Sequence, residues 1–366
     1  MKYFSVPADF KKENLDLYAA INEQFVDSKI YETYGQVTID DFIGSGRMVD
    51  CLPTIDLKNL SKYVEYSKNI GIDFNYTLNS SCIGNAEFSK KTSSKIKELL
   101  ENIYASGIHT ITVTLPFIFD LIQSMDIPFK VKTSTICQVS TANAAIHYKK
   151  MGASQIVVDE NITRDFASLK QISNAFGDGV EIIVNSICYK NCPYKNFHYN
   201  HESHCTALSD GQDTKDYYHI KCVLQKADDP INALKLNWIR PEDIKFYENI
   251  GIQYFKLQGR QFAQYGDPVK TLKAYINGHY EGNLLQLLTF FTLPQGERFI
   301  ENKKLDGFLD PFINKRNFCI DDCNTCLYCA EYASKCMDIN RTKHINNFAK
   351  NKYEKELFNL IQSLAD

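Results

Sequence analysis

The chain has 366 residues, which is enough for two ordinary domains or for one barrel with an appendage. Its net charge of -3 excludes a strongly basic protein that attracts nucleic acid through overall charge. No apolar run approaches a membrane span and no secretory leader is recognisable, so we expect a cytoplasmic protein whose twelve cysteines indicate metal binding rather than disulfides.

Short β-like runs alternate with amphipathic helical runs from the first residues onward. The predicted strands are Tyr3–Val6, Ile30–Val37, Ile72–Asn79, His109–Thr114, Phe129–Ser134, Gln155–Glu160, Glu181–Ser186 and Gln253–Gln258. Eight strands separated by helices predict an α/β fold, a (β/α)8 TIM-like barrel, with an open doubly wound sheet as the alternative.

The alternation of side chains along three predicted strands points polar groups into the barrel. Asn79 lies on the polar face of its strand, as do Lys132 and Lys256, and Arg260 follows on the same side. Barrel interiors are normally filled by Val, Ile and Leu, so buried cations need partners. One interpretation is a network of opposite charges within the protein. We favour the other, a small anionic ligand at the C-terminal ends of the strands.

The regular alternation stops after the seventh predicted strand. Residues 187–250 separate it from the eighth, far more than the few residues of a typical connection. We therefore divide the chain into a barrel over 1–290, with a cysteine-rich insertion at 187–250, and a cysteine-rich extension with a terminal helix over 291–366.

The insertion carries Cys188, Cys192, Cys205 and Cys222, four thiols within 35 residues. Four thiolates around one centre are what an iron–sulfur cluster or a structural zinc requires, whereas separate buried thiols are the alternative without metal. Because Cys188 follows the end of a predicted strand, we expect this centre to lie over the active face of the barrel.

A second run of thiols comprises Cys319, Cys323, Cys326 and Cys329, with Cys336 a little further on. The Cys-x2-Cys-x2-Cys core approaches ferredoxin-type spacing and favours a second [4Fe-4S] cluster, with zinc in a small ribbon as the alternative. Whether Cys329 or Cys336 completes this set is left open by the spacing.

Three stretches resemble the U32 family, long labelled collagenase-like peptidases. Val131–Ile172 resembles its strand–helix–strand segment, which ends in an acidic residue at Glu160. Asn185 to His204 has the Asn-x2-Cys-x3-Cys-Pro pattern followed by Ser-His, and Phe246 to Arg260 resembles the G-x-x-x-x-K-[IL]-x-G-R motif. The resemblance covers most of residues 1–290.

The resemblance implies an iron–sulfur protein. Better-understood members of this family take part in oxygen-independent hydroxylation of ubiquinone precursors or RNA, with prephenate as the implicated oxygen source. By this resemblance Cys188, Cys192, Cys205 and Cys222 bind the first [4Fe-4S] cluster. We accordingly expect Lys256, Arg260 and Glu160 to be catalytic, with Arg260 and Lys256 holding a prephenate-like dicarboxylate, and Asn79, Lys132 and Asn185 to be cofactor-binding.

Two features depart from the family pattern: Gln258 stands where the family often has Glu, and the thiols after residue 318 lie outside its common core. Three functions therefore remain in view. The first is an oxygen-independent hydroxylase or related redox enzyme, the second a peptidase, and the third a cluster-bearing electron-transfer subunit. The substrate, a redox partner, a paired U32 protein and the oligomeric state cannot be read from the sequence, and nucleic acid is not favoured by the charge.

Overall fold

A computed structural model describes residues 1–39, 42–205, 217–294, 297–319, 323 and 325–365. Its strands are β1 (Lys2–Pro7), β2 (Ser28–Gly35), β3 (Asp73–Leu78), β4 (Thr110–Val113), β5 (Lys130–Thr133), β6 (Ala153–Val157), β7 (Val180–Ile183), β8 (Asn185–Tyr189), β9 (Leu236–Trp238) and β10 (Tyr254–Lys256). Its helices are α1 (Lys12–Gln24), α2 (Leu57–Asn69), α3 (Lys90–Ala105), α4 (Pro116–Ser124), α5 (Ala142–Lys150), α6 (Phe166–Phe176), α7 (Lys195–His204), α8 (Tyr217–Ala227), α9 (Ile244–Glu248), α10 (Arg260–Ala263), α11 (Pro268–Asn277), α12 (Leu284–Leu288), α13 (Asp310–Asn314), α14 (Tyr328–Cys336) and α15 (Ile339–Ala365).

Eight of the strands close into a parallel barrel in the order β1-β10-β7-β6-β5-β4-β3-β2. The first strand pairs with β2 on one side and β10 on the other, so the sheet has no edge and the open-sheet alternative is wrong. Each barrel strand overlaps one of the eight predicted runs, and the predicted (β/α)8 barrel is confirmed.

The strand faces follow the predicted alternation. In β3, Phe74, Tyr76 and Leu78 belong to the hydrophobic core between the strands and the helices. Asn75 and Thr77, on the opposite face, are buried and form polar contacts inside the barrel. A barrel strand with both faces buried can only carry polar groups inward if other strands supply partners.

One glycine fixes the entry to the last barrel strand. Gly251 ends the turn after α9 with φ +88°, a left-handed conformation that is strained for residues with a Cβ. A Cβ built there would lie 2.8 Å from Ser173 Oγ. The tight turn brings the chain directly into β10, which carries Lys256.

The insertion folds over one end of the barrel. Strand β8 leaves the barrel directly after β7 and pairs antiparallel with β9, so that Asn185 lies opposite Trp238. Helices α7 and α8 lie between these two strands in the chain. The insertion therefore starts from the carboxyl end of a barrel strand, the end at which barrel proteins place their ligand sites.

The extension after the barrel packs on the insertion. Trp238 of β9 stacks on Phe308 with ring centroids 5.5 Å apart. The terminal helix α15 lies along α8, where Lys350 pairs with Asp228 at 2.9 Å. Within the part of the chain that the structure describes, no helix combines the length and apolarity needed to cross a membrane.

Candidate functional site

A cavity of about 60 Å³ lies at the mouth of the barrel. Its lining residues come from most of the barrel strands and from loops at their carboxyl ends: Tyr34, Gly46, Arg47, Thr77, Asn79, Thr112, Ser134, Thr135, Ile136, Val157, Ile183, Tyr199, Lys256, Gln258, Gly259 and Arg260. Among the described lining residues three are cations and none is an acid. The cavity therefore suits an anionic group.

Arg260 begins the helix that follows β10 and is almost completely buried. Its Nη1 donates to Gln36 Oε1 at 2.8 Å and to Thr77 Oγ1 at 2.9 Å, and its Nη2 donates to Ser45 Oγ at 3.4 Å. These three neutral acceptors orient the guanidinium.

Arg47 reaches the same cavity from the loop between β2 and α2. Its Nη1 donates to the carbonyl oxygen of Gly46 at 2.8 Å and its Nε to Gln261 Oε1 at 3.3 Å. Asn79 Oδ1 accepts from the Gly46 N–H at 3.2 Å, so this predicted ligand residue both lines the cavity and holds the loop of Arg47.

Lys256 forms the floor of the cavity. Its ammonium lies 3.6 Å from the centre of the Tyr34 ring, 3.4 Å from Ser5 Oγ and 3.9 Å from Glu181 Oε2. Burial lowers the pKa of Lys256 to about 8, with Lys132 and Arg260 adding to the shift and Glu181 opposing it. About a tenth of this amine is therefore neutral at pH 7, far more than for an ordinary lysine.

Lys132 lies deeper in the barrel and has a full set of protein partners. Its Nζ donates to Glu32 Oε1 at 2.6 Å, to Tyr31 at 2.7 Å and to Glu181 Oε2 at 3.2 Å. Burial raises the pKa of the Glu32 carboxyl, but Lys132 and Lys256 outweigh this effect and hold it below its ordinary value. At this depth the internal charge network, the interpretation we did not favour, is what the structure contains.

Glu160 lies above the cavity in a second buried network. It accepts from Tyr199 at 2.9 Å and from Ser186, and Lys195 Nζ lies 3.9 Å away. Burial alone would raise the pKa of Glu160, but Lys195 and the two hydroxyl donors hold it below its ordinary value. Lys195 also pairs with Asp159 at 2.7 Å. The group is a carboxylate at neutral pH.

Asn185 holds the chain that leads to Arg260. Its side chain accepts from the Gln258 N–H at 2.7 Å and donates to the carbonyl oxygens of Gln258 at 2.8 Å and Leu288 at 3.1 Å. The structure thus gives this predicted ligand residue three main-chain partners within the protein. It positions the cavity wall rather than lining it.

The first group of thiols lies beside the Glu160 network. The Cys188 N–H donates to Ser186 Oγ at 3.3 Å, and burial together with the Glu160 charge raises the pKa of the Cys188 thiol to about 12. Cys192 Sγ lies 3.6 Å from Gln225 Oε1 of α8, the helix that carries Cys222. The carbonyl oxygen of Cys205 accepts from Val49 of the Arg47 loop at 3.4 Å.

The second group of thiols opens onto a larger cleft of about 900 Å³, which Cys319, Cys323 and Cys329 help to line. Arg164 lies at its base, donating to the carbonyl oxygens of Leu234 at 2.9 Å and Leu236 at 2.8 Å. Burial lowers the pKa of this guanidinium, and the nearby thiols of Cys329 and Cys319 oppose the shift. A buried cation beside these thiols suits an anionic thiolate centre.

The fifth thiol of this region points elsewhere. Cys336 ends α14 and is buried in the hydrophobic core, where its carbonyl oxygen accepts from the Glu301 N–H at 2.8 Å. Cys326 is exposed. The structure therefore groups Cys329, and not Cys336, with the thiols of the cleft.

All twelve cysteines lie in the described part of the chain and carry reduced thiols. Among the described residues, no three His, Cys, Asp or Glu side chains converge closely enough to hold a metal ion. Thiols are the donors that iron–sulfur clusters use. The charges of Lys226, Lys195 and Arg47 favour the thiolate of Cys188, but burial and the Glu160 charge outweigh them. The predicted ligand sets stay predictions.

Several residues of the site escaped the sequence interpretation. Arg47 lies in an irregular loop, and Lys195 and Tyr199 lie on α7, which has no strand alternation to orient them. Glu32 and Glu181 offered a weak signal, since each is an acid on a predicted strand. Pairing them with Lys132 required the strand order around the barrel.

A closed parallel barrel defines an α/β barrel protein, and its cation-lined cavity lies where this fold usually places its ligand sites. The model of Peptidase family U32 matches residues 51–277, more than half of the sequence, and the chain belongs to this family. The match includes Lys256, Arg260 and the first thiol group, and it ends before the second.

Two individual proteins illustrate the similarity. A protein of Methanocaldococcus jannaschii named as an uncharacterized protease is 26% identical over 339 residues, which cover 92% of this chain and 98% of that relative. The solved structure of a U32 peptidase covers 71% of this chain and 93% of its own, with a TM-score of 0.51 and 18% identity. At that identity the structural likeness supports the barrel fold alone.

Proposed function

We propose that this U32 protein is an iron–sulfur redox enzyme, of the oxygen-independent hydroxylase type, whose barrel mouth binds a small anionic co-substrate such as prephenate. One observation carries the proposal. The cation-lined cavity and the first thiol group are neighbours: Arg47 and Tyr199 line the cavity and interact electrostatically with Cys188, and the loop of Arg47 contacts the Cys205 carbonyl oxygen through Val49.

The chemistry of the cavity supports an anionic co-substrate. Arg47 and Arg260 present planar guanidinium groups, which recognise carboxylates through paired hydrogen bonds. A volume of about 60 Å³ is small, which suits a small anionic group rather than a large ligand. The rest of a larger ligand then extends toward the rim, where Tyr199, which donates to the buried Glu160 at 2.9 Å, lines the cavity.

The thiols support two centres. Cys188, Cys192, Cys205 and Cys222 would hold one [4Fe-4S] cluster and Cys319, Cys323, Cys326 and Cys329 a second. Such clusters supply one-electron transfer when bound. Lys190, between the first two cysteines, donates to the carbonyl oxygen of Cys319 at 3.0 Å, which brings the two segments into contact.

A peptidase is the second candidate, favoured by the name of the Methanocaldococcus relative. A cysteine peptidase needs a thiolate nucleophile with a neighbouring base. Burial raises the pKa of Cys188 to about 12 and also raises that of Cys192, so neither thiol is ionised at neutral pH. Cys205 is buried and directs its thiol to the carbonyl oxygen of His201 at 3.3 Å.

A non-catalytic electron-transfer subunit is the third candidate. It is favoured by the position of Cys319, Cys323 and Cys329 on the wall of the large cleft, where a redox partner could approach them. This role uses the second thiol group but leaves the cation-lined cavity without a purpose. The enzyme proposal uses both.

The test is oxygen-free purification of the full chain with iron and sulfide analysis and an absorption spectrum. Cys188→Ala and Cys192→Ala should remove about half of the iron, and Cys326→Ala the other half, if each group holds one cluster. Cys137→Ala is the matched control, because Cys137 is a half-buried thiol directed at the carbonyl oxygens of Val113 and Thr114.

Two results would overturn the proposal. The first is an iron-poor protein from oxygen-free preparations. The second is peptide cleavage by metal-free protein that Cys205→Ala abolishes, which would establish the peptidase instead.

A further inference from the structure

Lys256 differs from an ordinary counter-ion in its surroundings. Its contacts with Ser5 Oγ at 3.4 Å and Glu181 Oε2 at 3.9 Å are long, and its ammonium lies over the face of the Tyr34 ring, 3.6 Å from the centroid. Lys132, in the same lumen, holds Glu32 at 2.6 Å and Glu181 at 3.2 Å. The carboxylates of the barrel are therefore engaged mainly by Lys132.

The cavity also has more cations than one carboxylate requires. Arg47 and Arg260 both line it, and two guanidinium groups suffice for one carboxylate. A lysine surrounded by other cations is a weak permanent anion ligand, because desolvation and like charge favour its neutral form. The same two effects make a buried amine nucleophilic.

We propose that Lys256 condenses with the carbonyl group of a small 2-oxo acid whose carboxylate lies between Arg47 and Arg260, so that the acid is held as a protonated imine. This inference rests on the anion site of the proposed function. It adds to that site the chemical class of the ligand and a covalent bond between the ligand and Lys256.

The step balances without an oxidant or a reductant. The Lys256 ammonium first releases a proton, and the neutral amine attacks the carbonyl carbon to form a carbon–nitrogen bond. The carbonyl oxygen then leaves as water after taking up two protons, one of them the proton first released and the other from the attacking nitrogen. One ammonium and one ketone thus give one protonated imine and one water, with no change in charge.

The charged groups around Lys256 favour the product. Glu181 of β7 and Glu32 of β2 place negative charge beneath the amine, and the Tyr34 ring faces it. The positive charges of Lys132 of β5 and Arg260 disfavour the protonated form of the free Lys256 amine. An imine cation disperses its charge over carbon and nitrogen, so it is hydrated less strongly than an ammonium and is less penalised by burial.

Reductive trapping tests this on the full-length protein. Pyruvate is added with cyanoborohydride, and the modified lysine is located by peptide mass spectrometry. Lactate is the matched control, because it has the same carboxylate but no carbonyl. Lys132 serves as an internal control in the same barrel, and Lys256→Arg keeps the positive charge without being able to form an imine.

The expected result is a reduced pyruvate adduct on Lys256, none on Lys132, none with lactate and none in Lys256→Arg. Its rate of formation should rise about tenfold from pH 6 to pH 7, because the neutral fraction of an amine with a pKa of about 8 rises in that proportion. Binding is checked separately by calorimetric titration of pyruvate and lactate.

The outcomes separate the two proposals. If both acids bind and pyruvate leaves Lys256 unmodified, the imine is wrong and the anion site stands. An adduct spread over surface lysines would likewise show that the imine at Lys256 is wrong. If neither acid binds, both the imine and the anion site of the proposed function are wrong, whereas the iron analysis decides the cluster proposal independently.

Discussion

Two lysines inside one barrel have opposite relations to their surroundings. Lys132 is completely enclosed and pairs with Glu32 and Glu181, whereas Lys256 lies nearer the mouth, over a ring and beside a cavity. The same residue type in the same lumen is structural at one depth and available for chemistry at the next. The number of carboxylates within hydrogen-bond distance distinguishes the two.

The difference is energetic as well as geometric. A buried ion pair with good hydrogen bonds roughly balances its desolvation, but removing one partner leaves an uncompensated charge. Lys256 has no carboxylate within hydrogen-bond distance among the described residues, so burial works against its charge. The ion pairs of Lys132 therefore stabilise the fold. The buried charge of Lys256 lowers the stability of the fold, and a bound ligand can restore that loss.

The largest expected effect is that of Lys132→Met, which leaves Glu32 and Glu181 buried without a cation. We expect a loss of about 3–5 kcal/mol in the free energy of unfolding, measured by urea denaturation. Lys130→Met, two residues earlier on the same strand at an exposed position, is the control and should change it little. Equal effects at the two positions would contradict the pairing.

Lys256→Met should act in the opposite direction. Because the pKa of Lys256 falls from 10.5 to about 8 on folding, the variant should be more stable than the wild type by roughly 1–3 kcal/mol at pH 7. Urea denaturation measures this difference. A destabilised variant would mean that Lys256, like Lys132, is paired within the protein.

The pH dependence of that difference gives a sharper comparison. Between about pH 8 and 10.5 the unfolded chain binds a proton at Lys256 that the folded protein does not, so the wild type gains stability relative to Lys256→Met as the pH rises. The advantage of the variant should be full below pH 8 and absent above about 10.5. A difference that is constant across this window would exclude the lowered pKa.

The smallest expected effect is that of Arg47→Gln on anion binding. We expect about a tenfold weaker affinity for malonate by calorimetry, or about 1.4 kcal/mol, because Arg260 and Lys256 remain. Arg316→Gln removes an exposed cation from the other cleft and is the control. Malonate binding that is weakened equally by both substitutions would indicate a response to overall charge.

The barrel and part of the site could be predicted from the sequence. Alternation with period two located all eight strands and turned Lys132, Lys256 and Arg260 inward, because both features are local. The alternation could not rank the lysines by depth or assign Glu32 and Glu181 to Lys132. Those facts depend on which strands meet across the barrel, and the partners are 100 and 49 residues apart in the chain.

The residues that escaped prediction lie in segments without periodicity. Arg47 reaches the cavity through a loop whose position is fixed by contacts with Asn79 and Cys205. Similarly, spacing left Cys329 and Cys336 equivalent as ligands. Only the packing of α14 separates them, since it turns Cys336 into the core and leaves Cys329 beside Arg164.

The packing of α15 along α8 couples the two thiol-bearing segments. The helix that carries Cys222 is held by α15, which follows the second thiol group in the chain, through Lys350 with Asp228 and Tyr353 with His219. The fourth thiol of the insertion is therefore supported by residues that lie more than 100 positions further along the chain. Removing α15 should weaken the packing around Cys222 as well as around the thiols that precede α15.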